Sequence, residues 1–297
     1  VAGGIIAVLP GQLGIAVYSP PLDIHGNSVR GIKVCEDLSD ELHLHVMSPA
    51  RRPAPPVRVE HTCREARSKR LRPATEQAIL AEHGYRARVL ELQGELSFAA
   101  GELVTSSALE GSEETDFMVL DFKAVRGIDL IDVPLFSHLI ESYEETGGEI
   151  AFSDLDRHPL FADELARHRE REGLHPLRTF VDLDMALEWS EQGLIEKYGS
   201  VELEPELSLA QHGATIGMSP EQIALLAEHL QHREYEPGEE IYSEHDNEVD
   251  EMLLITAGKI SVLVRDEEGG HSRIATLSPG LTLGEVAMLS GHSRIGT

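Results

Sequence analysis

Cysteine is nearly absent, with two residues, Cys35 and Cys63, in 297. Two thiols so far apart exclude a disulfide framework and a zinc knuckle. Cys35 falls on the apolar stripe of an expected helix and reads as a reduced core thiol. Positive charge is scarce as well. Against 52 Asp and Glu stand 25 Lys and Arg, a formal charge of −27. That balance excludes a nucleic-acid backbone and an anionic membrane surface as partners, and argues against steering of acidic substrates. No apolar run approaches membrane length. No leader is read either, since Val1 opens inside a motif, so the expected compartment is cytoplasmic. Histidine is plentiful, at 15. The pairs His43/His45 and His229/His232 have spacings that suit a metal, yet no cysteine or third histidine joins them. Solvated helix-end histidines are the plainer account, and no metal site is expected.

Composition is otherwise that of a globular chain, 41% hydrophobic and 26% charged, and the length suits about two domains. At the front, Gly3-Gly4 opens an apolar run, Ile5 to Leu9, stopped by Pro10-Gly11. A second run, Leu13 to Tyr18, ends at Ser19-Pro20-Pro21. Two β-rich runs about a Pro-Gly turn predict a hairpin. Asn27 is expected to cap a helix whose apolar positions are Val29, Ile32, Cys35, Leu38 and Leu42. A hairpin and one helix cannot bury a core of their own, so this segment reads as the end of something larger.

VAGGI, the SPPLD turn and GNSVRGIKVC resemble the C-terminal end of the glutaminase family, serine-dependent amidohydrolases on a β-lactamase-like fold. The resemblance implies that residues 1–47 end a glutaminase domain whose parent hydrolyses L-glutamine and is a homo-oligomer. It also implies that the Val1 backbone N–H helps to hold the substrate carbonyl oxygen, with the neighbouring glycines giving access. A plainer account of Gly3-Gly4 is a strand passing close to a helix. In the family the nucleophile is a serine with a lysine three residues on. None of Lys33, Lys69, Lys123, Lys197 and Lys259 has a serine in that place. No catalytic residue is therefore expected in this fragment, which should be inactive alone.

Residues 48–84 read as a basic, Pro-rich linker. Pro49, Pro53, Pro55 and Pro56 break regular structure, and Arg51, Arg52, Arg58, Arg64, Arg67, Arg70 and Arg72 cluster with Lys69. No aromatic residues are interleaved for stacking on RNA, so a stiff tether or a basic strap on an acidic neighbour is expected. A short helix, Thr75 to His83, closes it at Gly84. From Arg88 the texture alternates strand and helix, which predicts a sheet with helices laid on it. Val89 to Phe98 reads as two strands and Met118–Leu120 as a short one. Asp132 is expected to cap a helix with Pro134 in its first turn and Gly147-Gly148 at its end.

RVLELQGELSF, LDFKAVRGIDLID and ETGGEIAFSDL resemble a STAS domain over residues 85–198, which implies a docking module for a protein partner. In switch members a serine after the second aspartate is phosphorylated. Here Leu130-Ile131 follow Asp129, so that switch is not expected. Asp121, Asp129 and Asp132 suggest a metal site less well than an N-cap and loop ends.

Residues 199–297 change again. Ser219-Pro220-Glu221 starts a helix, and short glycine-punctuated strands follow at 235–239, 253–256, 258–264 and 274–277, suggesting a small jelly roll. Their order resembles a cyclic-nucleotide-binding domain, truncated before its closing strands and lid. The resemblance implies that Arg294 holds the cyclic phosphate, Glu285 the ribose hydroxyl, and the Gly284 backbone lies against the ligand. A surface salt bridge between Glu285 and Arg294 is the plainer alternative. Ile295 and His245 depart from the usual pattern.

The expected architecture is thus multidomain α/β plus mainly β. It comprises the end of a β-lactamase-like glutaminase domain, an α/β STAS domain and a partial jelly roll. The expected function is a glutaminase with STAS and cyclic-nucleotide (cAMP or cGMP) regulatory domains. The alternative is a non-enzymatic STAS/cyclic-nucleotide sensor that regulates a partner protein.

Overall fold

A computed structural model describes residues 3–9, 13–41, 55–199, 206–243, 251–265 and 271–285. The chain begins with β1 (Gly3–Leu9), β2 (Leu13–Ser19) and α1 (Val29–Glu41). Then come β3 (Val57–Thr62), β4 (Arg70–Leu71), α2 (Ala74–His83), β5 (Ala87–Leu96) and α3 (Phe98–Leu109). The alternation continues with β6 (Phe117–Ile128), α4 (Val133–Glu145), β7 (Glu149–Ser153), α5 (Pro159–Arg171), β8 (Thr179–Phe180) and α6 (Leu183–Tyr198). Last are α7 (Pro220–Ala227), β9 (Leu253–Leu254), β10 (Ile260–Arg265), β11 (His271–Leu277) and β12 (Thr282–Leu283). Two compact units result: Val1–Thr62 with Arg86–Ala186, and Cys63–Tyr85 with Leu187–Thr297.

In the first unit β1 and β2 form the expected antiparallel hairpin, Gly3 opposite Ser19. Period two shows directly, for Ile5, Ala7, Ile15 and Val17 are half-buried while Ile6, Val8 and Tyr18 are exposed. The cap of α1 is corrected from Asn27 to Ser28, whose buried Oγ accepts the Gly31 N–H at 3.0 Å. Asn27 instead donates its backbone N–H to Asp23 Oδ1 at 2.8 Å.

The remainder of this unit is a five-stranded sheet in the order β3-β5-β6-β7-β8, parallel except for β3. Leu90, Leu92, Leu96, Met118, Leu120, Phe122, Ile150 and Phe152 meet Val104, Phe136, Leu139, Phe161 and Leu165 in one buried core. Each such side chain contributes roughly 1.5–3 kcal/mol by leaving water. Helix α4 ends as the glycines predict. Gly147, at φ +75°, and Gly148 donate N–H groups to Glu144 and Tyr143 carbonyls at 3.1 and 2.8 Å, a Schellman motif.

Two expectations fail here. The stretch expected as a pair of strands is one strand, β5, followed by helix α3. Gly101, Val104, Thr105 and Ala108 form its buried face at helical spacing. Part of the expected linker is also sheet, because β3 pairs antiparallel with β5.

In the second unit, β10 and β11 pair antiparallel, and β4, from the arginine-rich stretch, adds parallel to β11. A second pair joins β12 to β9. Helix α7 starts with a capping box in which Ser219 Oγ accepts the Gln222 N–H. No strand is found at 235–239, which the sequence had suggested.

Candidate functional site

At the front, Gly3 is held by packing. A Cβ there would lie 2.7 Å from Leu22 Cδ2 and 3.1 Å from the Gly26 oxygen, whereas Gly4 meets nothing closer than 3.8 Å. The strand thus passes tightly beside the turn that enters α1. Asp23 organises that turn, and the N–H groups of Asn27 and His25 on its carboxylate hold it below its ordinary value. Val1, expected to bind substrate, lies outside the described residues.

The corner between β6 and α4 differs from expectation. Asp132 occupies the N-cap position but makes no capping bond. Its side chain is wholly buried, and neither oxygen has a hydrogen-bond partner. It lies flush against α3, where a Cβ on Gly101 would come within 2.8 Å of its Cγ. Burial, with Asp129 and Glu102 adding negative charge, pushes its carboxyl up to about 7. Asp129 caps the 3-10 turn Leu130–Asp132 that precedes α4, accepting the Ile131 N–H at 3.5 Å. Asp121, expected at a loop end, is buried within β6 and accepts the Ser153 hydroxyl at 2.7 Å. Among the described residues no group of three acids, histidines or cysteines is placed to hold a metal.

In the second unit, Gly284 follows β12 at φ +93°, a conformation that favours glycine, and Glu285 is half-buried beside it. The approach to this corner is pinned by His212, which is buried. Its Nδ1 accepts the Ala214 N–H at 3.1 Å, leaving Nε2–H to donate to the Leu281 oxygen at 3.2 Å. Burial draws the His212 ring below its ordinary value, which suits this neutral tautomer. Arg294, expected to complete the site, lies outside the described residues.

From Ser68 to Arg72 the arginine-rich stretch is not a solvated tether but a strap. Ser68 donates its N–H and hydroxyl to the Glu191 carboxylate at 2.8 and 2.7 Å, and Arg72 Nε donates to the same group at 3.1 Å. Arg70 bonds Ser278 Oγ at 2.8 Å and Gln192 at 3.2 Å, and reaches Glu188 at 3.5 Å. Glu188 also accepts from Lys259 at 3.0 Å and from Arg273 at 2.6 Å. Burial alone would raise the Glu188 carboxyl, but the Lys259 and Arg273 bonds outweigh it and hold it below its ordinary value. Local patterning missed Glu188 and Glu191, since nothing near them in sequence marks their partners.

Comparison with known proteins follows this division. Residues 1–47 match the glutaminase family, residues 78–171 the STAS domain and residues 232–297 the cyclic nucleotide-binding domain. The chain carries a glutaminase segment, a STAS domain and a cyclic nucleotide-binding domain. It is 33% identical over 290 residues to Glutaminase 1 of Bradyrhizobium diazoefficiens, covering 97% of this chain and 46% of that protein. The front segment is 72% identical over 46 residues to the glutaminase of Trichormus variabilis, 16% of this chain and 14% of that one. A solved structure of the anti-sigma factor antagonist SpoIIAA in its unphosphorylated form aligns at 15% identity with a TM-score of 0.28. That alignment covers 35% of this chain and 88% of that one. The chain spans about half the length of the curated relatives that it matches throughout.

In these terms, the glutaminase segment contributes the β1–β2 hairpin and α1. The matched STAS residues contribute the parallel strands β5, β6 and β7 and the corner that buries Asp132. The cyclic nucleotide-binding domain contributes the Gly284–Glu285 corner. No described helix is long and apolar enough to cross a membrane.

Proposed function

We propose that the chain is the regulatory C-terminal part of a glutaminase, whose reaction hydrolyses L-glutamine to L-glutamate and ammonia. The observation that carries this reading is the alignment with Glutaminase 1, which runs through all three segments along 290 residues. In the proposed reaction a serine of the catalytic domain attacks the side-chain amide carbon. Ammonia leaves, and water releases glutamate from the acyl-enzyme. The Val1 N–H is assigned to the carbonyl oxygen, where charge develops.

The STAS domain is assigned to docking of a protein partner, since Asp116 and Asp121 are engaged by Arg86 and Ser153 and Asp132 is sealed from solvent, which leaves none of the three to work on a substrate. In the nucleotide-binding domain, Gly284 and Glu285 are assigned to a cyclic nucleotide, cAMP or cGMP, with Arg294 on its phosphate. A non-enzymatic sensor accounts less well for the matched glutaminase segment.

Two measurements test the enzyme reading. Coding DNA upstream of Val1 should encode Lys-Ser-Gly in frame and a Ser-x-x-Lys further back; a stop codon or a foreign domain there overturns it. The 297-residue chain alone should release no ammonia from glutamine above a protein-free blank. Clear turnover would show that the catalytic residues have been misplaced.

A further inference from the structure

We propose that the strap Ser68–Arg72 and the carboxylates Glu188 and Glu191 form a relay that reports the geometry of the Gly284–Glu285 corner to helix α6. The relay rests on the nucleotide reading only for what moves that corner.

The strap is bonded on both sides. On one side its backbone is part of the β11 edge: the Thr276 N–H donates to the Lys69 oxygen at 3.1 Å and the Ser278 N–H to the Leu71 oxygen at 3.2 Å. The chain leaves β11 through Ser278 and Leu281 and enters β12, which Gly284 directly follows. On the other side Arg70 and Arg72 hold Glu188, Glu191 and Gln192 of α6.

Arg70 is the pivot. Its Nε bonds Ser278 Oγ, and its Nη1 bonds Gln192 and reaches Glu188. A displacement of the Ser278–Leu283 run therefore moves a guanidinium that α6 also grips. Glu188 receives the same displacement twice more, through Arg273 on β11 and through Lys259 at the start of β10. A tie serving packing alone would be made more cheaply from apolar side chains, because burying ions carries a desolvation cost. Planar, directional charge-assisted bonds respond to small shifts in register, as a relay requires.

The test is a double-mutant cycle read by amide hydrogen exchange on the 297-residue chain. Gly284→Ala strains the corner, since φ there is +93°. It should speed exchange at residues 69–71 and 188–192 at least threefold. Glu188→Gln alone should speed exchange at 188–192. In the double variant the further effect of Gly284→Ala on α6 should shrink to less than its effect in the parent chain, because the three contacts to Glu188 are weakened while those to Glu191 and Gln192 remain. Additive effects, or an α6 unmoved by Gly284→Ala, overturn the relay.

Millimolar cyclic AMP supplies the second arm. Slowed exchange at 282–285 that spreads to 69–71 and 188–192 supports both the relay and the nucleotide reading. Slowing confined to 282–285 overturns the relay alone. A coupled cycle with no response to cyclic AMP leaves the relay standing and overturns nucleotide binding by the 297-residue chain.

Discussion

Asp132 and Glu188 are both carboxylic acids taken almost entirely out of water, and the protein treats them in opposite ways. Asp132, wholly buried at the corner between β6 and α4, has no hydrogen-bond donor and two acidic neighbours, so its proton is held to about pH 7. Glu188, with 9% of its side chain exposed, has donors from Arg70, Lys259 and Arg273 and is held ionised. Burial penalises the charged form at both sites, and the donors decide the outcome. An acid in a core is thus no guide to its charge until its donors are counted. Folding pulls the two in opposite directions with pH. Asp132 contributes less as pH rises, Glu188 less as pH falls.

The comparison breaks most visibly where a paired charge loses its partner. Arg72 is 3% exposed in its side chain and Glu191 is 1% exposed. Glu191→Ala leaves that guanidinium with Glu76 and Gln192 as its remaining side-chain acceptors. It also leaves the Ser68 donors unmet. The expected loss is about 3–5 kcal/mol, the range for removing one side of a buried ion pair. Urea unfolding at pH 7 reads it as a lowered midpoint. A midpoint within error of the parent chain would place Glu191 at the surface and undo the contrast.

Asp132→Asn is the converse case, because the variant cannot ionise. Below the ordinary aspartate value of 3.8 both folded and unfolded states hold the proton. From there to about 7 only the folded state does, so parent stability falls as pH rises and then levels off. Relative to the parent, Asp132→Asn should gain on the order of 3 kcal/mol between pH 4 and pH 8. Unfolding midpoints at both pH values decide it. A difference that does not change with pH would mean that Asp132 has donors and titrates normally.

How much of this was legible follows the range of the signals. Gly147 and Pro134 mark the ends of α4 by local chemistry, and both ends stand where they point. The alternation of β1 and β2 is equally local. Helix α3 was hidden because Gly101 interrupts its pattern. That glycine is there for Asp132, a contact sequence spacing does not encode. Asp132 itself looked like a cap because cap preferences are local, whereas its burial is tertiary. The strap was the least legible, since Ser68 and Glu191 stand 123 residues apart. Composition showed the basic stretch, and only the fold showed which acids it meets.

The smallest expected effect uses Cys63 as a reporter of the strap. Cys63 is fully buried, and burial raises its thiol to about 12, with the Ser190 hydroxyl 3.3 Å away. Cys35 is half-buried, so a thiol reagent should label it first in the native chain and leave Cys63 for later. Labelling of Cys63 then requires opening. Glu191→Ala weakens the strap beside it and should speed that step at least tenfold. Ser190→Ala is the control, for it removes a bond worth about 1 kcal/mol. Labelling proceeds from the opened chain, where that bond is already broken, so its loss acts only through the ease of opening. The rate should rise by no more than about fivefold. If Ser190→Ala speeds labelling as much as Glu191→Ala, the reagent enters beside Ser190 without the strap opening. The pairing at Glu191 would then no longer account for the burial of Cys63.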